Sequence, residues 1–254
     1  MQPILFKLGA LELHSYGLFV ALGFTVGIIL SLIYAKREKI AAQLIVDLAL
    51  YVVLAAIAGA RLFYVLGQPA YYFHNPLEII MVQNGGLVFL GGLFLAILAV
   101  VVFARQKNIP LLNLLDAITP GTALGYAIGR LGCFFNGCCF GLPTNLPWGI
   151  TFPSGSLAAF YCPNERLHPT QLYSSLIVLI LFLGLLWLYK NKKFSGQIFF
   201  SGLVGYALYR FLIEFLRYSP IHWLALTPSQ WLAIIMLIFG LWGLVHFRYS
   251  DIRA

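Results

Sequence analysis

Charge is what this 254-residue chain has least of: Lys and Arg number 16, Asp and Glu 8, and together they are 9% of the residues. Soluble domains carry about 25%, so an ordinary water-exposed globular enzyme is excluded. The formal net charge of +8 could suggest nucleic acid. However, the basic residues are dispersed between apolar runs and form no patch, so no nucleic-acid partner is expected. Cysteine is scarce as well, four residues in all, and three of them read Cys-x4-Cys-Cys, which is not zinc-ribbon spacing. No internal repeat and no pair of matching broken helices is visible, which argues against a transporter. No secretory signal is read either. A single lysine, Lys7, precedes the first apolar run without a small-residue cleavage site, and the N-terminus is read as a short amphipathic segment on the membrane surface.

Long apolar stretches are abundant. The chain is 61% hydrophobic with a mean hydropathy of +0.90, and such runs recur along its whole length. We therefore expect an all-α polytopic membrane protein, a single membrane domain over 1–254, with about seven spans. They run approximately over 15–34, 44–66, 85–103, 111–129 (with Pro120-Gly121 as a kink), 171–189, 197–216 and 227–247. The last opens on Thr227-Pro228, an N-cap followed by an N1 proline. Loops about 67–84 and 130–170 fall on one side, the first with room for a short interfacial helix. The connections after spans one, three, five and seven hold Lys36, Arg37, Lys39, Arg105, Lys107, Lys190, Lys192, Lys193, Arg248 and Arg253, against Lys7 and Arg166 opposite. By the positive-inside rule the N-terminus is outside and the C-terminus cytoplasmic.

The remaining basic residues, Arg61, Arg130, Arg210 and Arg217, fall inside spans or at their ends. Helical rise places the first three in the outer half and Arg217 at the outer rim. Burying an arginine in a bilayer costs at least ~2.5–3.5 kcal/mol on insertion scales and requires polar partners. Snorkelling accounts for Arg217 and can account for Arg61. It suits Arg130 and Arg210 less well. Four cations in one zone suggest an anion site, and arginine's planar fork matches phosphate. Tyr206, Arg210 and Glu214 recur at i, i+4, i+8 on one helix face, either as an internal ion pair or as a substrate grip oriented by Glu214. His168 opens His-Pro-Thr-Gln-Leu-Tyr at the mouth of span five, with Gln171 and Tyr173 in a polar cluster. Asp116 is either a helix cap or a partner across spans. Cys133, Cys138, Cys139 and Cys162 are open to three readings: small packing residues, a bridge from Cys162 to Cys138 or Cys139 in an oxidising compartment, or metal and catalytic thiols.

One stretch, Gly129-Arg130-Leu131-Gly132-Cys133-Phe134-Phe135-Asn136-Gly137, resembles the Gly-Arg-x-Gly-Asn-Phe-x-Asn signature of the prolipoprotein diacylglyceryl transferases. Ser15-Tyr16-Gly17, Gly59-Ala60-Arg61-Leu62, Gly85 to Gly92, Asp116, His168 to Tyr173 and Tyr206 to Arg217 follow the same family in order. The resemblance implies a seven-span enzyme of the bacterial inner membrane without a cofactor or metal. Such an enzyme transfers a diacylglyceryl group from phosphatidylglycerol to the lipobox cysteine thiol of a lipoprotein precursor, releasing glycerol phosphate. It implies catalytic roles for Arg130, Arg210 and Tyr206, and substrate binding by Arg130, Arg210, Glu214, Arg217, Tyr16, Asn136, His168, Gln171, Arg61 and Asp116. Three departures stand out. Leu90 occupies the family's usual histidine position, Cys133 that of the signature asparagine, and Cys138 that of a frequent acidic residue. They keep two alternatives open: a catalytically weak or non-enzymatic lipid-headgroup binder of the same fold, or a transferase with a different acceptor.

Overall fold

The computed structural model describes residues 4–8 and 11–253, with side chains described over 14–249 except Asn84. The Lys7 and Arg253 side chains used in the orientation count lie outside that set. The all-α membrane class holds. Six helices among the described residues are long and apolar enough to cross a bilayer. These are α1 (Ser15–Arg37), α2 (Ala42–Leu66), α4 (Phe89–Gln106), α7 (Thr170–Lys190), α8 (Gln197–Ile213, extended by a 3-10 turn at Glu214–Leu216) and α9 (Pro228–Arg253). The seventh expected span is α5 (Leu111–Asn136), 26 residues long. It is long enough to cross but less apolar than the others, because it carries Asp116, Arg130 and several glycines. It also passes the expected end at Gly129 by two turns. The N-terminal segment forms an antiparallel hairpin, β1 (Ile4–Leu8) with β2 (Leu11–His14), running directly into α1. Short helices α3 (Pro69–His74) and α6 (Leu157–Tyr161) lie in the two long connections.

The chain divides into two compact units, Met1–Tyr34 with Leu115–Ala254, and Ala35–Leu114. In the larger unit α1 and α5 approach backbone to backbone. A Cβ on Gly23 would lie 2.6 Å from the Gly125 carbonyl oxygen, and one on Gly27 would lie 3.1 Å from that of Gly121. Small residues spaced four apart on both helices create this approach, the usual way to gain packing where lipid gives no hydrophobic drive. The helix continues through Pro120. Proline cannot bond back to the Asp116 carbonyl, while the neighbouring Thr119 hydroxyl donates to the Leu115 carbonyl at 2.7 Å. Helix α9 starts on the expected cap. Thr227 Oγ1 accepts from the Gln230 amide at 3.3 Å and Gln230 Oε1 accepts from the Thr227 amide at 2.9 Å, a reciprocal capping box.

In the smaller unit α2 packs on α4 through Gly59, Gly91 and Gly92. A Cβ on Gly92 would stand 2.9 Å from the Ala56 carbonyl oxygen.

Candidate functional site

The polar centre of the larger unit grows from the end of α5. Arg130 projects one turn beyond Tyr126. Its Nη2 donates to the Tyr126 hydroxyl, and its guanidinium carbon sits 4.6 Å from the Tyr126 ring centroid. Tyr126 is braced edge-on by Tyr206 (centroids 5.4 Å apart), and its hydroxyl lies 3.3 Å from that of Tyr209. Tyr126 and Tyr209 were missed in the sequence. The signal was available, since Tyr126 precedes Arg130 by four residues on the same helix face.

Arg210 and Arg217 converge on one carboxylate. Glu214 Oε2 lies 3.1 Å from Arg210 Nη1 and 3.3 Å from Arg217 Nη1, and Glu214 is 5% exposed. Its other oxygen accepts from the Thr227 hydroxyl at 3.2 Å, and Arg210 Nη2 donates to Ser229 Oγ at 2.8 Å. The cap of α9 and the end of α8 are thus one network. Arg217 reaches the α5 side through an extended backbone. The Leu142 amide donates to the Leu216 carbonyl at 2.9 Å, the Tyr218 amide to the Phe140 carbonyl at 3.2 Å, and Gly141 bridges to Arg217. Gly141 makes this crowding feasible, because a Cβ there would lie 2.7 Å from both the His168 and Leu216 carbonyl oxygens. The charges of Arg130 and Arg217 both act on the Cys139 sulfur.

Buried and unmatched polar atoms mark the same place. Arg130 Nε, Arg217 Nε and Gln171 Oε1 are buried with no hydrogen-bond partner among the described residues. An orphaned buried donor costs about 1–3 kcal/mol, more when charged.

Gln171, fully buried, uses its Nε2 to hold the Cys138 carbonyl at 2.7 Å, and Thr170 Oγ1 holds the Cys139 carbonyl at 2.9 Å. His168 Nδ1 lies 3.5 Å from the Tyr173 hydroxyl, which accepts from Trp148 Nε1 at 2.8 Å. Asn136 ends α5 beside Cys138, and its side chain interacts with the Cys138 thiol. Tyr16 opens α1 next to Gly132, where a Cβ would lie 3.3 Å from the Tyr16 carbonyl oxygen. The Tyr16 hydroxyl feels both the cysteines and Arg130.

Arg61 and Asp116 are held by structural partners, and the expected cysteine bridge is corrected. Arg61, in the smaller unit, is filled by backbone. Its Nε donates to the Ile79 carbonyl at 2.9 Å, Nη1 to the Gly85 carbonyl at 2.7 Å, and Nη2 to the Glu78 carbonyl. It clamps the 76–86 loop through these carbonyls. Asp116 accepts from the Gly196 and Phe199 amides at 2.7 and 2.8 Å and pairs with Lys192 at 2.8 Å. It caps the start of α8, about 21 Å along α5 from Arg130 at helical rise. The bridge from Cys162 to Cys138 or Cys139 is not formed, since all four cysteines are free thiols. Cys162 packs with Phe140, Phe152, Ala158 and Leu167, while Cys138 and Cys139 gather with Cys133. The neighbouring Cys133 and Cys138 thiols, then the Arg217 and Arg130 charges, hold the Cys139 thiol below its ordinary value, while the Cys138 thiol donates to the Cys133 carbonyl at 3.7 Å.

The sequence profile described as prolipoprotein diacylglyceryl transferase matches residues 3–246. The chain belongs to that family. Among its relatives, the phosphatidylglycerol–prolipoprotein diacylglyceryl transferase of Finegoldia magna is 37% identical over 100% of this chain and 99% of its own length. The enzyme of the same name from Synechococcus elongatus is 38% identical over 96% and 86%. That from Bordetella avium is 39% identical over 94% and 92%. The relatives are bacterial, and the match runs through the residues assembled around Arg130.

Proposed function

We propose that this chain transfers a diacylglyceryl group from phosphatidylglycerol to the lipobox cysteine thiol of a lipoprotein precursor, releasing glycerol phosphate. The observation that carries the reading is the pair of buried guanidinium Nε–H groups, on Arg130 and Arg217, that no acceptor among the described residues meets. A phosphodiester brings the oxygens and the charge these donors lack. Arg130 and Arg217 grip the phosphate, and Arg210 is held through Glu214 and Ser229 to complete the cationic wall. Tyr206 buttresses the tyrosine ring beneath Arg130, while Tyr16, Asn136 and His168 border the site.

In the reaction the acceptor sulfur attacks the glyceryl carbon, a C–S bond forms, and the C–O bond to phosphate breaks. The electron pair leaves on the phosphate oxygen. Charge therefore grows where the arginines stand, and fixed donors stabilise it most in the transition state. The family relationship and the distribution of Lys and Arg support a site opening to the outer side of the bacterial inner membrane, with the C-terminus in the cytoplasm.

The test is to incubate the purified protein with phosphatidylglycerol and a lipobox peptide. A thioether-linked product with released glycerol phosphate is expected. Retained phosphatidylglycerol without product would contradict the transfer.

A further inference from the structure

Nothing in the proposed reaction uses the three cysteines that crowd its site. Cys133, Cys138 and Cys139 place their sulfurs within 4.8 Å of one another. Their Cys-x4-Cys-Cys spacing does not suggest a metal site, but the fold closes it into one. Cys133 stands in the last turn of α5, and the Cys138 amide donates back to the Cys133 carbonyl at 3.2 Å. Cys139 takes a left-handed backbone at φ 57°, a strained conformation for a residue other than glycine. Thr170 and Gln171 hold the Cys139 and Cys138 carbonyls, so helix α7 fixes the loop that turns these sulfurs together.

We infer that Cys133, Cys138 and Cys139 bind a thiophilic divalent ion of the zinc class, and that its fourth coordination position receives the acceptor thiol. A tetrahedral zinc with Zn–S of ~2.3 Å sets its sulfurs roughly 3.8 Å apart, which this cluster meets with small side-chain adjustments. Soft thiolate donors select such ions. No fourth His, Cys, Asp or Glu among the described residues joins the set. Three protein ligands and an exchangeable position are the pattern of reactive rather than purely structural zinc. Four thiolates on a divalent ion carry two excess negative charges, which the nearby positive charges of Arg130 and Arg217 offset.

This inference rests on the proposed transfer, and supplies what Leu90 cannot. On coordination the acceptor sulfur loses its proton and is held as thiolate, the form that attacks carbon. Its sulfur then bonds to the glyceryl carbon as the C–O bond breaks toward phosphate. The proton released from the thiol ends on the departing glycerol phosphate, and the neutral thioether, a weak ligand, leaves the metal. No oxidant or reductant is required.

The experiment uses the full-length protein in detergent, purified without chelator, equilibrated with zinc and desalted. About one zinc per chain is expected. Cys133→Ser, Cys138→Ser and Cys139→Ser should each lower zinc affinity by ~10-fold or more, while Cys162→Ser keeps the metal. After replacement of zinc by cobalt, the d–d bands of tetrahedral thiolate coordination should shift when a lipobox peptide is added and stay unchanged with its Cys-to-Ser counterpart. Wild-type protein that takes up no stoichiometric zinc, or a cobalt spectrum indifferent to the thiol peptide, overturns the inference. So does chelator-stripped wild-type protein that transfers at the undiminished rate, and in that case the transferase reading survives. Zinc bound by the three cysteines, with a cobalt spectrum that responds to the peptide but no thioether product, upholds the metal–thiol site and defeats the transferase reading. Chelator-stripped wild type also serves where a serine variant fails to fold.

Discussion

Arg61 and Arg130 are both arginines set in apolar surroundings, and they meet the cost of burial in opposite ways. Arg61 spends its fork on the carbonyls of Glu78, Ile79 and Gly85 and lies among the rings of Tyr64 and Tyr72. Arg130 has a tyrosine hydroxyl and ring on one side and leaves Nε buried without an acceptor. A buried arginine alone is therefore no sign of a ligand site. The sign is a buried donor that the protein has declined to satisfy.

That contrast can be broken in order of expected effect. Arg130→Ala should lower transfer by ~10²–10³-fold or more, as for loss of one transition-state donor, with the thermal midpoint little changed. A variant that keeps its rate would remove the phosphate role. Arg217→Lys keeps the charge but loses the fork and the Nε–H. It should cost roughly tenfold or more in kcat/KM, since an Arg-to-Lys change is not conservative at a bidentate site, and a rate equal to wild type would show that charge alone suffices. Arg61→Ala should act on stability instead. Each carbonyl left unmet costs about 1–3 kcal/mol, so thermal unfolding in detergent should shift down clearly while the rate per folded molecule falls far less than for Arg130→Ala. Asp116→Asn weakens the Lys192 pair and the cap of α8 and should lower the midpoint with little effect on the rate. Thr227→Ala should give the smallest change, about 0.5–2 kcal/mol for a lost cap, plus whatever Glu214 loses with its hydroxyl partner.

The spans were legible because hydropathy is a long-range average that single residues barely disturb. The end of α5 was not, because Gly129 and Gly132 read as loop residues. They lie in a helix whose bare surface at Gly132 lets Tyr16 and Phe19 of α1 come close. The pairing of β1 with β2 was hidden in a segment too short for its alternation to stand out from an amphipathic surface segment. Glu214 with Arg210 and Arg217 was legible from i, i+4 and i, i+3 spacing, and so was the Thr227 cap. The role of Arg61 was not, because its partners are backbone carbonyls 17 to 25 residues away, which leave no mark in a sequence; for Asp116 a cap or a pairing across spans was legible, but not its partners, the Gly196 and Phe199 amides and Lys192. The cysteine cluster was equally hidden, since it depends on a left-handed turn at Cys139 and on clamps from Thr170 and Gln171.

Whether the unsatisfied donors on Arg130 and Arg217 hold a lipid phosphate is read from the lipid each protein retains. Wild type, Arg130→Ala and Arg61→Ala would be extracted in the same mild detergent with phosphatidylglycerol and a zwitterionic lipid in equal amounts, and the bound lipid measured by native mass spectrometry. Phosphatidylglycerol is expected on wild type and on folded Arg61→Ala, and its loss from Arg130→Ala. Phosphatidylglycerol retained by Arg130→Ala and lost from Arg61→Ala would contradict phosphate binding at Arg130.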